Sequence, residues 1–136
     1  MKLQKTLIKF VAVISACLLA SLSHAANLIL IADSANIEAR STVVARLKAE
    51  ALAAQQKKTN IAGPLNAEYA EALELSLSDL RIALPQVIED IAKSKGADVV
   101  LEPSIATKLA LVGVDISAEV VQALDIRSAK IRFLAP

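Results

Sequence analysis

The chain has 136 residues, a formal net charge of +1 and 55% hydrophobic side chains, of which very few are aromatic: one Tyr, two Phe and no Trp. Its single cysteine (Cys17) and single histidine (His24) exclude a disulfide framework within the chain and a zinc site built from thiolates and imidazoles. A near-neutral charge balance supplies no cationic field for nucleic acid.

The N-terminus carries Lys2, Lys5 and Lys9, then the apolar run Phe10 to Leu22, then small residues about a cut in Ser23-His24-Ala25. This is the layout of a secretory signal peptide over residues 1–25, cleaved after Ala25 or Ala26 to release a periplasmic product with no membrane span. Two alternatives stand beside it. One is an uncleaved anchor, and the other is a lipoprotein attached at Cys17, since Ile14-Ser15-Ala16-Cys17 has the form of a lipobox. Against lipidation, Leu18-Leu19-Ala20 keeps the chain apolar beyond the cysteine. Cleavage would remove both Cys17 and His24, so residues 26–136 would form one domain without a thiol nucleophile or an imidazole base. Without Lys2, Lys5 and Lys9, the 15 basic residues become 12 against 14 acidic, a net charge of −2.

Leu28-Ile29-Leu30-Ile31 is a short apolar run ended by Ala32-Asp33-Ser34, and it predicts a buried strand followed by a capped helix. From Ala35 to Lys58 there is no Gly or Pro, and Ile37, Val43, Val44, Leu47, Ala51 and Ala54 share one helical face, with Leu52 outside it. Thr59 to Pro64 is turn chemistry. Asn66 then caps a second helix whose Tyr69, Leu73, Leu77, Leu80, Leu84, Val87 and Ile91 step by threes and fours, a coiled-coil seam. Pro85 predicts a kink or restart within it, and Gly96 its C-terminal cap. Two such helices joined by a short turn predict an antiparallel hairpin.

Asp98 to Glu102 predicts a second strand, Ile105 to Val112 a third, and Ser117 to Leu124 a short helix. The alternation Lys130-Ile131-Arg132-Phe133 suits a half-buried edge strand, while propensity alone equally allows a loose tail. The fold class expected is α+β: a small β-strand body carrying a shortened coiled-coil hairpin over about residues 35–95. So few aromatics leave little core, which predicts burial between subunits.

Asp98, Glu102 and Asp115 lie at element boundaries, where turn and capping roles outweigh an acid pair or a calcium site. Ser34, Ser41, Ser104 and Ser117 have no imidazole partner in the mature chain, and no motif surrounds a pairing with Lys108. Gly96 and Gly113 are isolated, unlike a phosphate cradle. Lys57-Lys58 at the hairpin tip reads as a solvated helix end, or else as a client-contacting tip. Leu75 and Ile82 lie seven residues apart and opposite the seam, so one hairpin cannot bury both faces. With Leu52 they are the candidate residues for a subunit interface or for binding a client chain.

Three stretches resemble the Skp/OmpH-like family of periplasmic chaperones. They are Leu28 to Asp33 before a helix, Ile88 to Glu102 with its Lys95-Gly96-Ala97-Asp98 turn, and Asp115-Ile116-Ser117 before the last helix. The resemblance implies a homotrimer whose strands build a common body and whose hairpins enclose unfolded outer-membrane proteins, without ATP, metal or other cofactor. On this reading the chain is a holdase and not an enzyme, and its partners are unfolded envelope proteins and further copies of itself. The alternative is a structural or adaptor oligomerisation module of the envelope with no chaperone activity. The chain departs from the family in its short hairpin, its acidic mature charge, Ala97 in place of an aromatic, and the extension 125–136.

Overall fold

The computed structural model describes residues 28–136, so the expected leader, its cleavage site and Cys17 lie outside the described residues. Three short strands, β1 (Ile29–Ile31), β2 (Val99–Leu101) and β3 (Val114–Asp115), form a wholly parallel sheet in the order β2-β1-β3. Ile29 pairs with Val99, Ile31 with Leu101, and Leu30 with both Val100 and Val114. Leu30 and Val100 face the main core, whereas Ile29, Ile31, Val99 and Leu101 face a smaller cluster around Ala106 and Leu111. Cover on both faces is why β1 reads as an uninterrupted apolar run rather than an alternating one.

Among the described residues, five helices surround the sheet: α1 (Ser34–Arg40), α2 (Thr42–Thr59), α3 (Ala67–Ser94), α4 (Pro103–Lys108) and α5 (Ser117–Arg127). The expected α+β class with a β-strand body is therefore corrected. The fold is predominantly helical, and its sheet is small and parallel. The third strand expected over Ile105 to Val112 is in its first half α4. Pro103 opens that helix with its φ already set, Thr107 Oγ1 donates to Pro103 O at 2.9 Å, and Ala106 buries its methyl group under the sheet. Pairing with β1 falls instead to Val114 and Asp115. Gly113 makes that pairing possible, because a Cβ there would stand 2.9 Å from the Ile29 carbonyl oxygen.

The helix expected from Ala35 to Lys58 is two helices. Ser41 adopts an extended conformation between them and receives the Val44 N–H on its hydroxyl at 3.2 Å, capping α2. Pro85 causes no restart, and α3 runs unbroken from Ala67 to Ser94. The Asn66 side chain accepts from Tyr69 N–H at 3.0 Å at its start. At its end Gly96, with φ +65°, and Ala97 donate to the carbonyls of Lys93 and Ala92 and close a Schellman turn.

The α2–α3 hairpin packs Val43, Val44, Leu47 and Ala51 against Leu73, Leu77, Leu80 and Leu84, and α5 adds Val120, Val121 and Leu124. Each fully buried leucine here contributes roughly 1.5–3 kcal/mol. The hairpin turn is held from inside by Gln55, a buried amide on the stripe. Its Nε2 donates to Pro64 O at 3.1 Å and its Oε1 accepts from Asn66 N–H at 2.8 Å. Lys130 to Phe133 is not an edge strand: Lys130 lies in a turn closed by Ile131 N–H donating to Ser128 O at 3.0 Å, and Ile131 and Phe133 then pack against the helical core without pairing to the sheet.

Candidate functional site

All three strands end on the same side, where parallel sheets commonly hold ligands. Here the polar groups at that edge are engaged with one another. Glu102 accepts from Ser34 N–H at 3.3 Å and from the Ser34 hydroxyl, so it closes the start of α1 from across the sheet. Asp33 N–H donates to Ser117 Oγ at 3.1 Å, and Ser117 N–H donates to Asp115 Oδ1 at 2.8 Å. Hydrogen bonding from the Ser117 hydroxyl, and then from its N–H, holds the Asp115 carboxyl below the usual carboxylate range. Asp98, at the opposite end of β2, accepts from Leu28 N–H at 2.9 Å. The three carboxylates singled out in the sequence thus tie turns together. Among the described residues, no three His, Cys, Asp or Glu side chains are grouped to hold a metal ion.

Beside this edge lies a groove of about 370 Å³, walled by Leu84, Pro85 and Ile88 of α3 and by Val100 and Leu101 of β2. Arg81 at its rim is committed to Glu38 and Glu74. Hydrogen bonding to Glu38 and then Glu74 raises the guanidinium pKa further, so this cation stays charged. Ser34, Glu89 and Glu102 also line the groove, but Ser34 and Glu102 are bonded to each other and Glu89 is paired with Lys93 at 3.1 Å, so the rest of its wall is apolar.

Leu75 and Ile82 are 68% and 65% exposed on the outward face of α3, against 43% for Leu52 on α2. None of the three joins either hydrophobic cluster of the fold. The structure brings Leu75 and Ile82 onto one face, as the spacing predicts, while Leu52 stands on the other helix of the hairpin. Further exposed apolar residues run from α4 to β3 in the chain: Ile105, Leu109, Val112 and Val114, with Val112 at 92%. Lys57 and Lys58 occupy the last turn of α2, where they complement its negative end.

The residues that sequence reasoning missed are those receiving the C-terminal segment. Arg46 Nη2 donates to Ile131 O at 2.7 Å and Ala129 O at 3.3 Å. Glu50 Oε2 accepts from Phe133 N–H at 3.0 Å, and Ser76 Oγ accepts from Leu134 N–H at 3.2 Å. The Phe133 ring stacks on Tyr69, with centroids 6.3 Å apart and planes 19° from parallel. The Phe133 N–H, then the Arg46 guanidinium, hold the Glu50 carboxyl below its ordinary value. One signal was available: Ser76 is a buried polar residue on an otherwise apolar stripe, a placement that asks for a specific partner.

Comparison with protein-family models, with curated proteins and with solved structures finds no match to the chain in any of the three.

Proposed function

We propose that the chain is a short-armed periplasmic chaperone of the Skp/OmpH-like kind, which holds unfolded outer-membrane or envelope proteins without ATP. The observation that carries this reading is the pair Leu75 and Ile82, two large aliphatic side chains held outward on α3 that join no hydrophobic cluster among the described residues. A helix that buries one seam and presents a second aliphatic face is suited to transient apolar contacts. The resemblance supports it through the turn Lys95 to Asp98 and the Asp115-Ile116-Ser117 entry to α5, both of which form defined structural joints here. Export through a leader cleaved after Ala25 or Ala26 belongs to the same proposal, and so does assembly as a homotrimer.

The decisive experiment changes Leu75 and Ile82 together to Gln in the processed protein. Substitution of exposed side chains should shift stability by only about ±0.5 kcal/mol. Helix content and the mass by light scattering should stay as in the wild type. Suppression of the aggregation of a urea-diluted outer-membrane β-barrel should fall several-fold. Dissociation of the double variant into smaller species would assign the pair to a subunit interface. Unchanged suppression would remove it from client binding.

A second reading, an envelope adaptor that only oligomerises, is favoured by the exposed apolar residues leading into β3. Val114 lies in β3 and Val112 two residues before it, and among the described residues the outer edge of β3 has no neighbour in the sheet. Such an edge is a template for pairing with another chain. A Val112 and Val114 double change to Lys that dissolves the oligomer, with the Leu75 and Ile82 variant inert, would select the adaptor.

A further inference from the structure

The segment after α5 runs away from the sheet along the α2–α3 hairpin, and the way it is held is unusual. Its four anchored main-chain groups, the carbonyls of Ala129 and Ile131 and the amides of Phe133 and Leu134, are gripped by the side chains of Arg46, Glu50 and Ser76. Ile131 and Phe133 turn inward against the core while Arg132 and Leu134 stay exposed. Gripping by main chain is indifferent to sequence. The side-chain demands come from two positions, an apolar residue at Ile131 and an aromatic ring at Phe133, which stacks on Tyr69. A seat of this design accepts any extended chain that offers an apolar and an aromatic residue in register.

We propose that the hairpin groove lined by Arg46, Glu50, Tyr69 and Ser76 is a binding site for extended, aromatic-bearing segments of unfolded polypeptide, and that residues 129–136 occupy it in cis until such a segment displaces them. This rests on the holdase reading for the identity of the incoming chain. The geometry of the seat stands independently of it.

A tail joined directly to α5 competes at roughly millimolar effective concentration. One short peptide in trans therefore displaces it poorly, whereas an unfolded chain with many aromatic segments competes repeatedly. The tail then acts as a filter that admits long unfolded chains and excludes isolated peptides. Basic residues beside the aromatic, as in Lys130 and Arg132 here, suit a seat whose Glu50 feels the charge of Arg132.

The test is hydrogen exchange on the wild-type processed chain, with and without a stoichiometric urea-unfolded outer-membrane β-barrel as probe. The amides of Phe133 and Leu134 should be protected alone and lose protection at least tenfold on adding the probe, while amides in the middle of α3 stay protected. If aggregation is suppressed and both amides remain protected, the client binds elsewhere. The inference then fails while the holdase reading survives. Loss of protection that depends on protein concentration without the probe would mean tails exchanged between copies, and would overturn the inference too.

A second measurement does not need the client. A dansylated peptide with the sequence of residues 129–136 should bind the full-length Phe133→Ala chain at least tenfold more tightly than the wild type, because the variant's own tail is a weaker competitor. Equal affinity for both chains, or none for either, would overturn the seat itself. Tighter binding to the variant together with no aggregation suppression by the wild type would keep the seat and reject the holdase.

Discussion

Asp125 and Ser41 lie 84 residues apart in sequence, and the Ser41 hydroxyl donates a hydrogen bond to Oδ1 of Asp125. The same carboxylate takes the Thr42 N–H at 3.1 Å and the Thr42 hydroxyl at 2.9 Å. One side chain from α5 thus closes the N-terminus of α2 at the point where α1 ends. The break between α1 and α2 is a tertiary feature: Ser41 caps locally, and Asp125 fixes the cap in place.

Changing Asp125 to Ala should cost about 1–3 kcal/mol, the range for losing a helix cap and leaving its donors to water. Changing Ser41 to Ala removes part of the same network, so the two losses should not add. A double-mutant cycle by urea unfolding should return a coupling of roughly 0.5–3 kcal/mol. Strict additivity would show that the contact contributes nothing to stability.

What was legible in the sequence divides along the range of the cause. The seam from Tyr69 to Ile91, the Asn66 cap and the Gly96 turn depend on neighbours within a few residues, and all three appear where the pattern puts them. The outward placement of Leu75 and Ile82 follows from the same helical period. The break at Ser41 depends on Asp125, and the course of residues 129–136 depends on Arg46, Glu50 and Ser76, about eighty residues away or fewer but always on another element. The stretch Ile105 to Val112 misled because β-branched composition competes with a proline at a helix start, and the proline sets the backbone first. Lys130 to Phe133 shows the inward and outward alternation that its pattern implies, yet helices rather than a strand receive it.

Acid should loosen the fold, and the sign follows from the carboxylates. Hydrogen bonding to Arg81 lowers the Glu38 pKa, the Phe133 amide lowers that of Glu50, and contacts with Ser117 lower that of Asp115. For Asp125 burial pushes upward, but the bonds from Ser41, Thr42 and Val43 prevail and the pKa is lowered. Each group therefore protonates less readily folded than unfolded. Its contribution is present above the unfolded value of about 4 and is lost as pH falls through the folded value. Urea midpoints measured from pH 7 down to pH 3 should hold steady and then drop below about pH 4, with a shallower drop in a Glu50→Gln, Asp125→Asn chain. A midpoint that rises on acidification would contradict this account.

Gly113 should not tolerate a side chain. A Cβ there would meet the Ile29 carbonyl oxygen at 2.9 Å and the Ile31 and Ile29 side chains at 3.0 and 3.1 Å, and the first of these is backbone. Changing Gly113 to Ala should cost about 1–3 kcal/mol, as overpacking does. The loss should begin locally, because Ile116 N–H donates to Ile31 O at 2.9 Å at the end of β3. Faster exchange of the Ile116 amide, ahead of those in β2, is the signature to seek. Unchanged exchange there would mean that β1 shifts to make room.

Gln55 separates loop order from global stability. Replacement by Leu gives up its two hydrogen bonds, about 0.5–1.5 kcal/mol each, but buries an aliphatic side chain in the same nearly sealed position. The gain from burial is of similar size, and Pro64 and Asn66 are exposed enough for water to satisfy the groups left behind. The Gln55→Leu chain should therefore unfold within about 1 kcal/mol of the wild type. Replacement by Ala loses the bonds without that compensation and leaves a cavity, so it should cost about 2 kcal/mol or more. Both variants should open the turn at residues 60–66, since the Gln55 side chain supplies the hydrogen bonds that tie Pro64 and Asn66 to α2 and leaves only the packing of Leu65 when it is replaced. Limited proteolysis should cut there faster in both chains, whatever their urea midpoints. If the Leu variant resists cleavage as the wild type does, the turn is held by its own residues and the amide serves only to fill space.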